Sequence, residues 1–177
     1  VDIGAYEYSP VIVPDSYPTI QAAIDASMYG EPVIVSDGIY TGSGNVALDL
    51  RGKAITVRSR KGPAGCIIDC QGLERGFYFH SGEDSNSVVD GFTIINGYDG
   101  DAESWAYGSG IACLGSSPTI RNCVISDCGG IVGGVNLTDS IAVLEGCIIR
   151  DNATLDGIGG IFVSGGNNVL RNTIISG

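Results

Sequence analysis

Two short patterns of apolar and polar residues recur along most of the chain and advance in step. The first is a Gly followed by an alternating apolar strand. The second is an apolar residue, a charged residue, a Gly or Asn, and a further short strand. The first pattern begins at Gly76, Gly110, Gly134 and Gly160, and the second begins at Val89, Ile120, Leu144 and Leu170. Over the last three copies both patterns move by 24 and then by 26 residues, which indicates an internal repeat.

A repeat of this length with about three short strands is typical of a solenoid of stacked β-coils. Helical repeats need two helices and more than about 30 residues. In a β-solenoid each residue lies about 4.8 Å above its counterpart in the previous coil. The alternation within each strand then predicts four columns of side chains that face the interior. These columns are Phe77, Ile111, Val135 and Ile161; Phe79, Cys113, Leu137 and Val163; Phe92, Cys123, Cys147 and Thr173; and Ile94, Ile125, Ile149 and Ile175, with Cys66 and Ile68 one coil earlier.

One predicted outward column alternates in the sign of its charge from coil to coil. Its members are Asp90, Arg121, Glu145 and Arg171. Opposite charges on neighbouring strands stabilise such a ladder by about a few tenths of a kcal/mol each. The residue that follows each of them is Gly91, Asn122, Gly146 or Asn172. Gly and Asn tolerate a left-handed backbone, so we expect a tight bend between two strands at this position.

The residues before the coils follow a helical pattern instead. In residues 18–28, Ile20, Ile24 and Met28 are spaced to lie on one face of a helix. Pro18 suits the first turn, and Gly30 is a typical stop. We expect this amphipathic helix to cover the open end of the first coil, since a solenoid must hide that end. Residues 33–40 then begin the stack.

Composition narrows the class of protein. The chain has 177 residues, enough for one domain with a full core, and 28 of them are Gly. Acidic residues outnumber basic ones by 20 to 9, which gives a net charge of -11. Such a charge argues against nucleic acid or an anionic membrane surface as partner. No apolar run approaches the roughly 18 residues that span a bilayer.

The six Cys residues have two interpretations. None of them forms a CxxC pair, and the chain has a single His, which leaves little for a zinc site. We expect the thiols to be small buried core residues, with up to three disulfides as the alternative. Cys123 and Cys147 should then lie one coil apart, and both should face the interior.

Two parts of the chain resemble a known family. Residues 17–26 and 33–40 are similar to the N-terminal part of right-handed parallel β-helix proteins, of the pectate-lyase-like superfamily. Residues 76–87 and 117–126 resemble repeats in secreted bacterial β-helix proteins. The resemblance implies an all-β fold, a right-handed parallel β-helix of about six coils with an N-terminal capping α-helix. It covers residues 14–177, which leaves residues 1–13 as an extended N-terminal segment, and it implies an extracellular or cell-surface location.

The resemblance implies particular patterns of catalytic residues. Lyases of this superfamily need a basic residue that abstracts a proton and acids that hold calcium, and its hydrolases use clustered Asp with a His and a Lys. The chain's one basic patch contains Lys53, Arg58, Arg60 and Lys61, and the only Asp residues expected to stand over it are Asp49 and Asp69. His80 alternates outward and is typical of a surface residue. No catalytic residue is assigned, and an enzymatic role is the less favoured interpretation.

The largest interruption of the repeat is the loop at residues 97–109. It contains Tyr98, Asp99, Asp101, Glu103, Trp105 and Tyr107. Aromatic faces beside carboxylates can stack on sugars or frame a calcium ion. The alternative is an insertion that folds over the sheet and buries Trp105. Calcium at this loop is the only cofactor that the sequence suggests.

The first residues of the chain alternate like a strand that no coil needs. They are Val1, Asp2, Ile3, Gly4, Ala5, Tyr6, Glu7 and Tyr8. This segment resembles the tail that closes secreted β-helix proteins of this type after their final repeat. We therefore expect residues 1–8 to pair with the last coil of a preceding unit by strand addition, or the chain to be one segment of a tandem array. A monomer whose N-terminal strand folds back on its own surface is the alternative.

These observations favour a non-catalytic extracellular structural or adhesive protein that assembles head to tail into a filament or belongs to a tandem array. Its partners would be copies of itself or adjoining β-helix repeats. The alternative is a carbohydrate-active enzyme or glycan-binding module that acts on an acidic polysaccharide.

Overall fold

Strands of three or four residues, joined by turns, make up nearly all of the regular structure. The computed structural model describes residues 11–98, 108–154 and 157–177. In chain order its elements are β1 (Val11–Val13), α1 (Ile20–Ala26), β2 (Pro32–Val35), β3 (Gly38–Tyr40), β4 (Thr56–Ser59), β5 (Cys66–Asp69), β6 (Phe77–Phe79), β7 (Val88–Asp90), β8 (Thr93–Ile95), β9 (Ile111–Leu114), β10 (Thr119–Arg121), β11 (Val124–Ser126), β12 (Val135–Thr138), β13 (Val143–Glu145), β14 (Ile148–Arg150), β15 (Ile161–Ser164), β16 (Val169–Arg171) and β17 (Ile174–Ser176).

The strands form three parallel sheets that run along one axis. Sheet 1 has the order β1-β2-β4-β7-β10-β13-β16, sheet 2 the order β3-β5-β8-β11-β14-β17, and sheet 3 the order β6-β9-β12-β15. In the later coils, each coil adds one strand to every sheet. The chain is therefore an all-β parallel solenoid of about six coils, as the repeat predicted.

The register of the strands confirms the predicted inward columns. In sheet 3, Val135 pairs with Ile111 on one side and with Ile161 on the other. In sheet 2, Ile125 lies between Ile94 and Ile149. The aromatic residues of the earlier coils fill the interior, where Phe77, Phe79 and Phe92 are fully buried and their rings pack against one another. Burial of these columns is the main stabilising term for such a fold.

The alternating charged column is also confirmed. Asp90, Arg121, Glu145 and Arg171 pair in register along sheet 1. Arg121 Nε lies 3.0 Å from Asp90 Oδ2. The structure extends the column by one residue that the repeat did not include, because Arg58 pairs with Asp90 from the preceding coil.

The bends after this column have the predicted backbone. Asn122 and Asn172 have φ values of 52° and 49°, and Gly91 and Gly146 have φ values of 79° and 63°. Asn122 Nδ2 also donates to Asp90 Oδ1 at 2.9 Å, so the side chain that tolerates the bend also ties two coils together.

All six thiols are unpaired and buried, in agreement with the favoured interpretation. Cys123 and Cys147 directly precede Val124 and Ile148, which pair in register, so the two thiols lie in adjacent coils of the interior column. Burial raises the pKa of both thiols above the ordinary value. They are therefore packed as protonated apolar groups.

The capping helix is shorter than the sequence predicted. It begins after Thr19, whose Oγ1 accepts a hydrogen bond from the Ala22 amide, and it ends before Ser27. Ile20 and Ile24 are fully buried, and the helix packs against β1 and β2. The prediction that Met28 belongs to the apolar face was wrong, since Met28 lies beyond the helix and its side chain is 65% exposed.

A lysine caps the C-terminal end of this helix. Lys53 Nζ donates to the carbonyl oxygens of Ile24, Asp25 and Ser27 at 2.7, 2.8 and 3.0 Å. A cation at the C-terminal end of a helix satisfies carbonyl groups that have no partner within the helix.

Sheet 1 begins before the helix rather than after it. β1 pairs in parallel register with β2, although its residues fall in the segment 1–13 that we expected to be extended and separate. Val13 is fully buried in the core, and this burial favours the pairing of β1 with the rest of the sheet. The predicted assembly strand, residues 1–8, lies outside the described residues. In the described part of the chain, no helix is long and apolar enough to span a membrane.

Candidate functional site

The last coil exposes side chains that are buried in every earlier full coil. Val163, Leu170 and Ile175 are 51%, 42% and 49% exposed. Their partners one coil earlier, Leu137, Leu144 and Ile149, are fully buried. We call residues 161–176 the open coil. Its interior is an apolar surface that faces along the solenoid axis.

The open coil also ends the three sheets. β15, β16 and β17 each pair with a strand of the previous coil, and no described strand pairs with their other edge. Parallel edges of this kind are templates for further strands. The open coil therefore combines an apolar surface with three free strand edges.

A second feature is a groove at the turns that follow sheet 2, with a volume of about 590 Å³. We call it the turn groove, and its lining residues are Asp69, Gln71, Gly72, Asn96, Gly97, Tyr98, Asp127 and Gly129. Asp69 Oδ1 accepts hydrogen bonds from Asn96 Nδ2 at 2.9 Å and from the backbone N–H of Gln71 at 3.0 Å. Gln71, Asn96 and Asp127 all have a left-handed backbone, with φ values of 57°, 54° and 56°.

Tyr98 contributes the aromatic side chain of the turn groove. Its amide donates to the Glu74 carbonyl at 3.1 Å, and Tyr98 forms an isolated bridge with Gly129. The Tyr98 ring lies over Gly129, where a Cβ would meet ring atom Cδ2 at 3.9 Å. The neighbouring position 97 has room only for Gly, since a Cβ there would overlap the carbonyl oxygen of Ser109.

The predicted glycan or ion loop is therefore placed only in part. Tyr98 lies in the turn groove, whereas Asp99, Asp101, Glu103, Trp105 and Tyr107 lie outside the described residues. Sequence reasoning did not single out Asn96 and Asp127, and it weighed Asp69 only against the basic patch. The signal that could have found Asn96 and Asp127 is a polar residue directly after β8, β11 and β14, in three successive coils.

Comparison with models of known protein families shows the family of the chain. A model of the right-handed β-helix region matches residues 33–177, which is most of the chain. The chain belongs to the right-handed β-helix family. Comparison with curated proteins and with solved structures gives no match.

In this β-helix protein, residues of the predicted basic patch make separate contacts within the chain. Lys53 holds the end of α1, and Arg58 extends the charged column of sheet 1. Lys61 Nζ lies 2.9 Å from Asp37 Oδ2. Arg51, near the patch, pairs with Asp25 at 3.3 Å. Two of the four cations of the patch, Lys53 and Lys61, are therefore engaged in contacts within the chain.

His80 belongs to a small exposed cluster on the outside of the β-helix. Its ring stacks on Tyr78 with centroids 4.0 Å apart, and its Nε2 lies 3.5 Å from Asp49 Oδ2. The Arg75 guanidinium lies 4.6 Å from the centre of the Tyr78 ring. Across the described ranges, no group of three or more His, Cys, Asp and Glu side chains could hold a metal ion.

Proposed function

We propose that the protein is a non-catalytic, extracellular structural or adhesive β-helix that stacks end to end with another β-helix. The observation that carries the proposal is the open coil, in which Val163, Leu170 and Ile175 expose surface that every earlier full coil buries. The hydrophobic effect favours covering this surface, at about 25 cal/mol per Å² of apolar area removed from water.

A further β-coil fits the open coil better than other structures do. Three parallel strand edges at the spacing of this solenoid are matched by another coil of the same kind. Arg171 is the last member of the charged column in the described coils, so an acidic residue in a further coil would continue its alternation. That coil can come from adjoining repeats of the same polypeptide or from a second copy. Strand addition by residues 1–8 of a second copy stays a prediction.

The distribution of charge supports a structural role over the enzymatic alternative. Lys53, Arg121 and Lys61 are engaged in contacts within the chain. The turn groove is lined by carboxylates and amides, which would repel an acidic polysaccharide. The resemblance to secreted repeats supports an extracellular location, where burial would protect the six thiols from oxidation.

Replacing Ile175 by Lys should reduce self-association, because the ammonium group would be placed where the next coil packs. Half of the Ile175 side chain is already exposed, so we expect the single molecule to keep its fold. The matched control is Ile39→Lys, at an exposed position on the outside of β3. In sedimentation velocity runs at rising concentration, the parent and Ile39→Lys should form growing species, and Ile175→Lys should stay monomeric at concentrations about tenfold higher.

Two results would contradict the proposal. One is a parent chain that stays monomeric at high concentration, and the other is undiminished assembly of Ile175→Lys. A chain that lacks residues 1–8 identifies the occupant, since assembly that survives the deletion excludes the donor strand. Calcium-dependent release of unsaturated product from polygalacturonate or alginate, followed by absorbance, would show that the protein is an enzyme.

A further inference from the structure

The outward side of sheet 2 carries a continuous line of β-branched side chains, nearly all of them aliphatic. The strand register places one such residue on each of the six strands. Each is a sequence neighbour of a residue in an interior column, so the alternation of the strand turns it outward. We call this line the sheet 2 stripe, and its members are Ile39, Ile67, Thr93, Val124, Ile148 and Ile174.

The sheet 2 stripe presents apolar surface along the whole length of the solenoid. Ile39 and Ile174, at its two ends, are 68% and 58% exposed, and the four residues between them are partly exposed. Thr93 is the member with a hydroxyl group, and its Oγ1 already donates to the Pro63 carbonyl at 2.8 Å. A contiguous apolar line on the surface of a folded protein is typical of an interaction surface.

A second outward column, beside the stripe, contains an acid and a base. From β5 to β17 its members are Asp69, Ile95, Ser126, Arg150 and Ser176. Asp69 lies on the second strand from one end of sheet 2, and Arg150 lies on the second strand from the other end. The two opposite charges are therefore placed symmetrically about the middle of the sheet.

This placement makes the face complementary to a copy of itself. A half-turn about an axis parallel to the strands, between β8 and β11, exchanges β5 with β14 and β3 with β17. The stripe of one copy then faces the stripe of the other, and Asp69 lies opposite Arg150 of the second copy in two equivalent contacts. A half-turn about the solenoid axis would instead press the charged column against the stripe, where the charges would have no partner.

We propose that sheet 2 packs face to face and antiparallel against sheet 2 of a second copy. The face measures roughly 24 Å by 10 Å, well below the roughly 800 Å² per partner of a stable interface. A single pair of copies is therefore held weakly. End-to-end stacking would align the stripes of many copies and multiply the contact, so the strength of this lateral contact rests on the proposed function. Stacked chains would then associate side by side.

Disulfide trapping tests the contact and its direction, because it captures weak encounters as covalent dimers. Ile67→Cys and Ile148→Cys are made as separate variants, and the six native thiols are buried and do not compete. After mixing and mild oxidation, non-reducing electrophoresis should show covalent dimers in the mixture. Either variant alone should give few, because identical positions would lie three coils, or about 14 Å, apart along the axis.

The opposite charges are tested in the same mixture. Adding Arg150→Glu to both variants should lower the yield of dimers several-fold, because two carboxylates would then face each other. The matched control is Arg51→Glu, which makes the same change of charge at an exposed position in the turn before β4 and should leave the yield unchanged.

Three outcomes would overturn the proposal: no dimers in the mixture, equal yields from the mixture and from either variant alone, or a yield that Arg150→Glu does not lower. Adding Ile175→Lys to both variants separates this contact from stacking. A lower yield in that background supports a lateral contact strengthened by stacking, and an unchanged yield supports a lateral contact that forms without it. A parent chain that does not stack would contradict the proposed function, while dimers trapped in a concentrated mixture would still support the lateral contact.

Discussion

Replacing Glu83 by Ala should destabilise the protein by about 3–5 kcal/mol, because it removes a buried carboxylate that accepts hydrogen bonds from three donors. The Glu83 side chain is only 2% exposed, although it lies in a turn between two strands. Its Oε1 accepts from the Gly52 amide, and its Oε2 accepts from the Ser81 amide and from Ser116 Oγ, each at 2.9 Å. Gly52 and Ser116 lie on either side of it along the chain, so one carboxylate joins three successive turns.

The loss in free energy of unfolding can be measured by urea denaturation monitored with circular dichroism. Glu83→Gln should fall between the parent and Glu83→Ala, since its amide keeps one acceptor but turns an NH₂ group towards a donor. Glu74→Ala is the matched control, because Glu74 is exposed. If Glu83→Ala loses no more stability than Glu74→Ala, the carboxylate does not join the turns.

The same carboxylate gives stability a defined dependence on pH. Burial raises the pKa of Glu83, but the hydrogen bonds from Gly52, Ser81 and Ser116 outweigh it and hold the pKa below its ordinary value of 4.5. The contribution of a group with a lowered pKa is present above the pKa of the unfolded chain, and it is lost as pH falls through the folded value. The advantage of the parent over Glu83→Gln should therefore be constant near neutral pH and shrink in acid.

Replacing Gly134 by Ala should destabilise the protein by about 3 kcal/mol or more, because the added methyl group has no room between coils. A Cβ at Gly134 would overlap the carbonyl oxygen of Gly160 and would lie 2.9 Å from that of Gly159. These are backbone atoms of the next coil, and the Gly160 carbonyl also accepts the Val135 amide at 3.0 Å. The two coils could accept the methyl group only by breaking their ladder.

Thermal unfolding of Gly134→Ala beside Gly38→Ala checks this expectation. A Cβ at Gly38 would meet the Tyr40 ring at an ordinary contact distance of 3.5 Å, so that variant should be close to the parent. Equal melting temperatures for the two variants would mean that the coils are not packed as closely as the structure has them.

Most of the fold could be predicted from the repeat in the sequence. Two motifs that advance together define which residues lie above one another, and alternation then separates inward from outward side chains. This is why the columns that contain Ile125, Val135 and Arg121 were predicted correctly. The reason for Gly at the start of each sheet 3 strand could not be read from the sequence, because it depends on the carbonyl of the next coil.

Contacts made by the turns were harder to predict than contacts made by the strands. Glu83 has no counterpart in the other coils, so its place between Gly52 and Ser116 left no periodic signal. Met28 continued a helical pattern, but the helix ends before it, and Lys53 from a later part of the chain binds its last carbonyl groups. Asn96 and Asp127 drew no attention in the sequence, and only the stacked coils bring them into one groove.

Hydrogen exchange of the backbone amides in β15, β16 and β17, measured over a range of protein concentration, tests most directly whether the open coil is an interface. If another coil stacks there, amides of these strands should become protected as concentration rises, while those of β12, β13 and β14 stay protected throughout. The Ile175→Lys variant should show no such change. Exchange in β15, β16 and β17 that is independent of concentration in the parent chain would contradict the account.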